Sequence, residues 1–399
     1  MDAFTTPSNW QRVRLGDIAE IKRGASPRPI ENPKWFCTNS NVGWVRISDI
    51  SKNSRFLYKT AQKLSKKGIE KSRFIKQNSL IMSMCATIGK PIITKIDTCI
   101  HDGFVVFENP KIDLNYLYYF LCYIEKEWLE SGQQGSQVNL NVDLIKNKEV
   151  FCPKDLNEQR AIANILSDVD HYLYSLDALI LKKEGVKKAL SFELLSQRKR
   201  LKGFNQAWQK VKVKDFGIII TGSTPLTQIS EYWNGTISWI TPTDINDNKD
   251  IFNSERKITQ KGLDTIRMIP KNSVLVTCIA SIGKNAILRV NGACNQQINA
   301  IIPNKDFNAD FIYYLMENNK QYLLGKAGVT ATYIISKQVF EEIDFFVPKD
   351  LNEQAAIANV LSGLDSEIIS LKNKKRQFEN IKKALNHDLM SAKIRVLKK

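Results

Sequence analysis

The chain has 399 residues, 43% of them hydrophobic, with 58 lysines and arginines against 41 acidic residues and a net charge of +17. This length allows two or more domains with their own cores, and the basic surplus favours a polyanionic partner, although a lysine-rich protein without one has the same composition. No run approaches the ~18 apolar residues of a membrane span, the N-terminus has no apolar signal segment and the seven cysteines form no CxxC pair, so we predict a cytoplasmic protein with reduced cysteines.

The first 152 residues predict a globular α+β domain. Short apolar runs at 79–84, 91–94 and 104–107 are rich in β-branched residues and bounded by Gly, Asn and Asp, which is typical of strands. Ser65 is placed to cap a short helix, and residues 116–128 predict another helix. Trp44 is expected in the core.

Residues 153–205 predict a long helix. Asp155 is placed at its N-cap with Glu158 three residues on, a capping-box arrangement, and Gly203 is a plausible C-terminal stop. Apolar residues then recur at spacings of three and four, which indicates a coiled-coil seam of Leu166, Val169, Leu173, Leu176, Ile180, Leu190 and Leu194.

The whole pattern then occurs a second time. Residues 153–170 and 348–365 match at fourteen of eighteen positions, at an offset of 195. Outside this block, Trp10, the Tyr118-Tyr119 pair and the Ile-Gly-Lys string at 88–90 also recur. We therefore predict a second globular domain over 206–347, with Thr259 and Trp239 equivalent to Ser65 and Trp44 and a helix at 311–322, and a second long helix over 348–399 starting at Asp350 and Glu353. Its seam comprises Leu361, Leu364, Ile368, Leu371, Phe378, Leu385 and Leu389.

Four lysines interrupt the two seams and bear on how the helices pair. In a parallel pair in equivalent register, Lys187 would face Lys382. In an antiparallel pair with aligned midpoints, Lys187 lies opposite Ile368 and Lys382 opposite Leu173, and Lys183 and Lys375 likewise meet apolar residues along which a lysine stem can lie. We predict the antiparallel coiled coil. The alternative is that each helix packs only on its own domain.

No catalytic or metal-binding motif stands out, and the polar loops are the candidate functional sites. Lys90 and Lys284 follow a glycine in each Ile-Gly-Lys turn and are candidate phosphate contacts, the alternative being solvated turn lysines. The other loops differ between the halves: the His101-Asp102-Gly103 segment stands against Gln296-Gln297-Ile298. These loops also carry side chains of the types that pair with bases or phosphates. The remaining candidate DNA contacts are Lys22, Arg23, Arg28, Arg46, Gln137, Thr224, Thr241, Gln296, Thr330 and Thr332.

The chain resembles the specificity subunits of type I restriction–modification enzymes over its full length. The resemblance rests on the repeated PKDLNEQ block leading into a long helix, the Trp-x-x-Val domain starts, the Ser-Ile-Gly-Lys string and the Asn295-Gln296-Gln297-Ile298 string. His101-Asp102-Gly103 departs from that last string.

The resemblance implies two target recognition domains, each of which reads one half of a bipartite double-stranded DNA site. It also implies partners: two modification (methyltransferase) subunits bound at the seam helices, and restriction (translocase and nuclease) subunits. S-adenosylmethionine, ATP and Mg²⁺ would be bound by those partners, and this chain would be non-catalytic and hold no metal. Two alternatives remain: a coiled-coil scaffold that binds DNA non-specifically, and an enzyme with an unrecognised site.

Overall fold

The computed structural model describes residues 8–51, 55–131, 140–246, 248–329 and 332–396. The chain divides into two compact units, Met1–Asp177 with Lys374–Lys399 and Ala178–Asn373. Each unit holds one globular part and a segment of each of two long helices. The predicted α+β class with an internal repeat is confirmed.

The first globular part alternates short strands and helices. Its strands are β1 (Trp10–Arg14), β2 (Glu20–Arg23), β3 (Gly43–Val45), β4 (Phe56–Leu57), β5 (Gln62–Lys63), β6 (Arg73–Ile75), β7 (Leu80–Ser83), β8 (Pro91–Thr94), β9 (Thr98–Ile100), β10 (Phe104–Glu108) and β11 (Glu149–Pro153). Its helices are α1 (Leu15–Ile18), α2 (Ile47–Ser51), α3 (Lys66–Glu70), α4 (Leu114–Tyr123), α5 (Glu125–Ser131) and α6 (Val142–Asn147), with a 3-10 turn at Pro33–Trp35. The long helix α7 (Leu156–Leu195) follows.

The second globular part has a similar order of elements, without counterparts of α2 and β6 and with an additional hairpin. Its strands are β12 (Trp208–Lys212), β13 (Gly217–Thr221), β14 (Trp233–Ile240), β15 (Asp250–Ile251), β16 (Lys257–Ile258), β17 (Ser273–Thr277), β18 (Asn285–Leu288), β19 (Gly292–Cys294), β20 (Ile298–Pro303), β21 (Gly328–Val329), β22 (Tyr333–Ile334) and β23 (Asp344–Pro348). Its helices are α8 (Gln260–Leu263), α9 (Ala309–Asn318), α10 (Lys320–Gly325) and α11 (Lys337–Glu342), with 3-10 turns at Val213–Phe216 and Ser230–Tyr232, and the long helix α12 (Leu351–Met390) follows.

The sheets repeat between the units. The five-stranded sheet has the order β2-β10-β7-β8-β4 in the first unit and β13-β20-β17-β18-β15 in the second. A second sheet is β5-β3-β9-β6 in the first unit and β16-β14-β19 in the second, and the ribbons β1-β11 and β12-β23 join each domain start to the strand before its long helix. The hairpin β21-β22 belongs to the second unit.

The central strands are buried on both faces, because successive side chains point to opposite faces of the sheet and each face is covered by another layer. In β7, Leu80 and Met82 pack in the core formed with α4, while Ile81 packs in the core formed with the second sheet. In β17, Val274 and Leu275 divide in the same way. Each globular part is therefore a layered helix–sheet–sheet structure, which explains why its central strands β7 and β17 are buried along their whole length.

Several local predictions are confirmed. Ser65 and Thr259 cap α3 and α8, each accepting a hydrogen bond from a main-chain N–H three residues on. Trp44 and Trp239 are buried. The predicted helices at 116–128 and 311–322 each divide into two, at Ile124 and at Asn319, where the backbone leaves the helical region.

The long helices are shorter than the predicted segments. Main-chain N–H groups bind the carboxylates of Asp155 and Asp350 at their starts, as expected of caps. Glu158 and Glu353, the acidic residues of the predicted capping boxes, accept hydrogen bonds from the indoles of Trp10 and Trp208. The C-terminal stop at Gly203 is wrong: α7 ends at Leu195, before Gln197 takes a left-handed φ of 60° and Arg200 turns to bind Glu353.

Within each unit the two helix segments run antiparallel. In the first unit Lys382 pairs with Asp170 at 2.5 Å and Lys375 with Asp177 at 2.6 Å. In the second unit Lys183 pairs with Glu367 at 2.7 Å. Residue numbers therefore rise on one helix as they fall on the other, as predicted.

The seam lysines carry an interaction that the sequence did not reveal. Each ammonium group reaches a carboxylate about one turn before the apolar residue that the sequence placed opposite it, for example Asp365 rather than Ile368 for Lys187. A partly buried ammonium is stabilised by such a counter-ion. The predicted seam residues are buried or half-buried: Leu166, Val169, Leu173, Leu176, Ile180, Leu190, Leu194, Leu361, Leu364, Ile368, Leu371, Phe378, Leu385 and Leu389.

Candidate nucleic-acid interface

Two loops meet at the same place in both globular parts. The loop after β2 lies against the turn between β9 and β10, where Ala25 donates its N–H to the Ile100 oxygen at 3.0 Å. In the second part, Ser223 donates to the Cys294 oxygen at 2.8 Å. A Cβ on Gly24 would lie 2.0 Å from the His101 oxygen, and one on Gly222 would lie 2.2 Å from the Asn295 oxygen. Only glycine permits this approach at either position.

The strand register fixes which residues of the two turns correspond. Strands β3 and β9 pair Trp44 with Cys99, and β14 and β19 pair Trp239 with Ala293. Counting from these pairs, His101 corresponds to Asn295 and Asp102 to Gln296. The sequence comparison, which set His101 against Gln296, was wrong by one residue.

The turn in the first globular part holds a carboxylate that collects donors from the neighbouring loop. Asp102 accepts hydrogen bonds from Ser26 Oγ at 2.8 Å and from Arg28 Nη2 at 2.9 Å. Arg23 Nε donates to the main-chain oxygen of Asp102 at 2.7 Å. Burial raises the pKa of Asp102, but the Ser26 hydrogen bond and the Arg28 charge outweigh it, so that pKa lies below its ordinary value. Asp102 is therefore a charged anchor for Arg28.

His101, beside this anchor, is an uncharged structural residue. Burial lowers its pKa, and Asp102 only partly opposes that effect. Its Nδ1 accepts the Gly103 N–H at 2.8 Å, which holds the turn in shape. The side chain thus shapes the turn that presents Asp102.

The corresponding pair in the second globular part is uncharged. Thr224 Oγ1 donates to Gln296 Oε1 at 2.6 Å, and Gln296 is exposed. Asn295 folds back on the turn, accepting the Gln297 N–H at 3.1 Å and donating to the Gln297 side chain at 3.0 Å. A hydroxyl on one loop therefore orients a side chain on the other in both halves, and the oriented side chain differs.

The remaining predicted contacts are placed elsewhere or are occupied. Lys22 pairs with Glu20 at 2.9 Å and with Glu108 at 2.5 Å, and these hydrogen bonds raise its pKa. Arg46 Nη1 donates to Gln62 at 3.0 Å. Thr241 Oγ1 donates to Asp244 at 2.7 Å, which closes a turn.

The two turn lysines lie near helices. Gly89, before Lys90, has a φ of 77°, and a Cβ there would lie 2.3 Å from the Trp128 ring in α5. Lys284 lines a cleft of about 510 Å³ together with Lys187 of α7 and Lys320 of α10. Thr332 is exposed just before β22. Gln137 and Thr330 lie outside the described residues.

Sequence reasoning missed the contacts that dock each globular part on its helices. Tyr119 in α4 donates to Asp170 at 2.6 Å, and Tyr314 in α9 donates to Asp365 at 2.7 Å. Burial and the neighbouring carboxylates raise the pKa of both tyrosines, so both hydroxyls stay protonated. The available signal was that the Tyr-Tyr pair and the last Asp of the duplicated block both recur.

A second repeated contact fixes the start of α4 and α9. Gln159 accepts the Asp113 N–H at 2.8 Å and donates to the Pro153 oxygen at 2.8 Å. Gln354 makes the same two bonds with Asn308 and Pro348, at 2.9 and 3.0 Å. Because both amides are buried and hydrogen-bonded through their oxygen and their nitrogen, they tie the start of the short helix to the start of the long one.

Within the described ranges, no group of His, Cys, Asp and Glu side chains could hold a metal ion, and no helix is long and apolar enough to cross a membrane.

Comparison with known proteins agrees with this architecture. A family model described as the type I restriction modification DNA specificity domain matches residues 7–183 and again 205–380. The MjaIX specificity subunit of Methanocaldococcus jannaschii is 36% identical over 182 residues, which are 44% of this chain and 41% of that relative. A putative MjaX specificity subunit from the same organism is 24% identical over 98% of this chain and 95% of its own length.

Solved structures share the fold. The S subunit of a type I restriction–modification system from M. genitalium superposes with a TM-score of 0.61 at 14% identity, covering 96% of each chain. The HsdS subunit of Thermoanaerobacter tengcongensis gives a TM-score of 0.50 at 16% identity, covering 98% of this chain and 97% of that one. At these identities the likeness concerns the fold alone.

Proposed function

Because this chain belongs to the family of type I restriction–modification DNA specificity proteins, with a family domain matched twice, we propose that it is the DNA-recognition subunit of such a complex. Each globular part reads one half of a bipartite double-stranded DNA target. A cytoplasmic location, where such DNA is accessible, is part of this proposal. The basic charge of +17 supports the proposal, since phosphate neutralisation supplies much of the affinity of DNA-binding proteins.

The observation that carries the proposal is the repeated loop pair with different side chains. The framework of β2, β9 and β10 recurs as β13, β19 and β20, and glycine brings the two loops together in both. This framework presents the exposed Arg28 with the half-buried Asp102 in one part and the half-buried Thr224 with the exposed Gln296 in the other. Equal frameworks with unequal donors and acceptors suit two different half-sites.

We propose further that the chain is not itself catalytic and that partner subunits supply the chemistry. Methyl transfer from S-adenosylmethionine belongs to modification subunits, and ATP- and Mg²⁺-dependent translocation and cleavage belong to restriction subunits. This chain recognises the DNA sequence and holds those partners together.

Each unit exposes an apolar side chain on each long helix at equivalent positions of the repeat, and these pairs, called patches below, support the binding of two modification subunits. The first unit exposes Ile165 and Ile381, and the second exposes Val360 and Val186, at the corresponding positions of the repeat. These four side chains are 36–49% exposed. In α7, Ile165 and Val186 are three heptads apart and so occupy the same heptad position, beside the seam. One patch per unit suits two copies of one partner.

Exchange of one domain tests the DNA-recognition proposal. Replacing residues 206–347 with the corresponding domain of another specificity subunit should change one half of the target and leave the other intact, because both loops of the second site lie in the exchanged segment. Sequencing of methylated adenines in a host that carries the hybrid and its modification subunit gives the result. The reciprocal exchange of residues 1–152 is the control and should change the other half. A hybrid that alters both halves, or neither, would contradict the proposal.

Charge introduced into one patch should remove one modification subunit. Ile165→Glu with Ile381→Glu should lower the stoichiometry from two modification subunits per chain to one, because a buried unpaired carboxylate costs several kcal/mol. Val186→Glu with Val360→Glu should do the same through the second patch. Native mass spectrometry of the co-purified complex measures the ratio, with Ile165→Leu and Ile381→Leu as the apolar control. Two bound subunits in the Glu variants would exclude the patches as the docking sites.

A further inference from the structure

The repeated loop pair also indicates which bases the two domains read, an inference that rests on the proposed DNA-recognition function. Arg28 lies on the loop after β2, whereas Gln296 lies on the turn between β19 and β20. Both side chains are exposed, and each forms one hydrogen bond with the neighbouring loop. A side chain that is both exposed and oriented is prepared to bind a planar ligand with little loss of rotamer entropy.

Arg28 matches a guanine edge. Its side chain is 73% exposed, and Nη2 binds Asp102 at 2.9 Å. The guanidinium has further N–H donors that this bond leaves free, and they lie in one plane. The major-groove edge of guanine offers two acceptors, O6 and N7, to which arginine donates in bidentate fashion. Asp102 thus restricts the orientation in which the Arg28 guanidinium approaches a base.

The carboxylate of Asp102 argues against a phosphate as the ligand of Arg28. Asp102 is charged and 40% exposed, so an incoming phosphate at Arg28 would meet a like charge within a few ångströms. A guanine edge is neutral and carries no such penalty. Arg23 is held to the same turn through its Nε. It provides a second positive charge beside the turn, and that charge can contact a DNA phosphate.

Gln296 matches an adenine edge. Thr224 donates to its Oε1, and this hydrogen bond fixes which end of the amide is the oxygen and which is the nitrogen. The amide nitrogen then remains a donor for adenine N7, and the second lone pair of the oxygen remains an acceptor for the adenine amino group. The position carries no charge and so has no special attraction for phosphate.

We propose that Arg28, positioned by Asp102, reads a guanine in the half-site of the first domain. Gln296, positioned by Thr224, reads an adenine in the half-site of the second domain. The two half-sites are therefore distinguished at equivalent loop pairs by a charged reader on one loop and an uncharged reader on the other.

The test uses the full chain with its modification subunits. The target of the wild-type complex is first defined by sequencing methylated host DNA. Binding is then measured for oligonucleotides that carry each single-base change. Arg28→Lys keeps the positive charge but loses the planar fork. It should reduce discrimination at one guanine of one half-site by about ten- to hundredfold while the salt dependence of binding stays near that of the wild type. Asp102→Asn should weaken discrimination at the same guanine.

Gln296→Ala provides the second arm. It should relax one adenine position in the other half-site by a similar factor and leave the Arg28 guanine unaffected. Arg12→Ala is the matched control, since Arg12 is an exposed arginine of the first domain that pairs with Glu149 at 3.5 Å. The base preferences of the Arg12→Ala complex should equal those of the wild type.

The outcomes separate this inference from the proposed function. A wild-type complex that methylates no bipartite site would overturn the proposed function itself. A bipartite wild-type target whose base preferences survive both Arg28→Lys and Gln296→Ala would overturn the base assignment alone. Arg28→Ala that weakens every sequence equally would also overturn it, because that result identifies a phosphate contact.

Discussion

Asp170→Asn is expected to destabilise the first unit by about 3–5 kcal/mol, because it removes the carboxylate that faces the buried guanidinium of Arg55 and the half-buried ammonium of Lys382. Asp170 is buried and accepts from Tyr119 Oη at 2.6 Å, pairs with Lys382 at 2.5 Å and lies 3.9 Å from Arg55 Nη1. Arg55 is itself buried and also donates to Tyr119, Ser167 and Asn115. Asparagine would leave the two positive charges facing each other without a carboxylate.

The second unit provides the matched control for this change. Asp365 binds Tyr314 and Lys187 in the same way, but its side chain is 22% exposed, against 8% for the side chain of Asp170. Asp365→Asn should therefore cost about 1 kcal/mol, closer to the value of a surface pair. Urea unfolding followed by tryptophan fluorescence compares the two variants. An equal or smaller cost for Asp170→Asn would show that the Arg55 network does not depend on that carboxylate.

Arg200→Met should destabilise the second unit, since it leaves the buried carboxylate of Glu353 without its cation. Glu353 is only 1% exposed and accepts from Arg200 Nε at 3.0 Å and Nη2 at 2.6 Å. The Trp208 indole, at 3.3 Å, is the other donor to this carboxylate. That neutral donor cannot compensate the full charge.

Two comparisons sharpen this prediction. Adding Glu353→Gln to Arg200→Met should recover most of the lost stability, because the second change removes the unpaired charge, and a double-mutant cycle measures the coupling. Arg395→Met is the control in the other repeat, where Arg395 is 47% exposed and 3.9 Å from Glu158. It should cost less than about 1 kcal/mol. Equal losses from both arginine changes would mean that burial of Glu353 does not set the cost.

The sequence predicted those parts of the fold that depend on local patterns. The duplicated block predicted two like halves, apolar spacing predicted both long helices, and Ser65 and Thr259 were recognised as caps because their bonds are made within four residues. The pairing direction followed from four lysines, since only one orientation separates Lys187 from Lys382.

What the sequence could not predict depends on contacts between distant residues. Glu158 stands three residues after a cap, and only the fold reveals that Trp10, 148 positions earlier, supplies its donor. Asp102 and Arg28 are 74 positions apart, so their bond could not be read from a local pattern. Most of the candidate contacts were chosen by residue type, which cannot separate Lys22, already paired with two glutamates, from Arg28, which is presented to solvent.

The crossed ion pairs of the long helices have a consequence for how such a gene can recombine. Each repeat carries a carboxylate at the end of its duplicated block, Asp170 or Asp365, and a lysine further along the same helix, Lys187 or Lys382. The carboxylate of one repeat is bound by the lysine of the other. Any two repeats of this design placed in tandem would supply both pairs, whatever bases their loops read. A single repeat would need a second copy of itself to complete the two ion pairs. Duplication and shuffling of the gene therefore preserve the pairing of the long helices while the recognised DNA sequence changes.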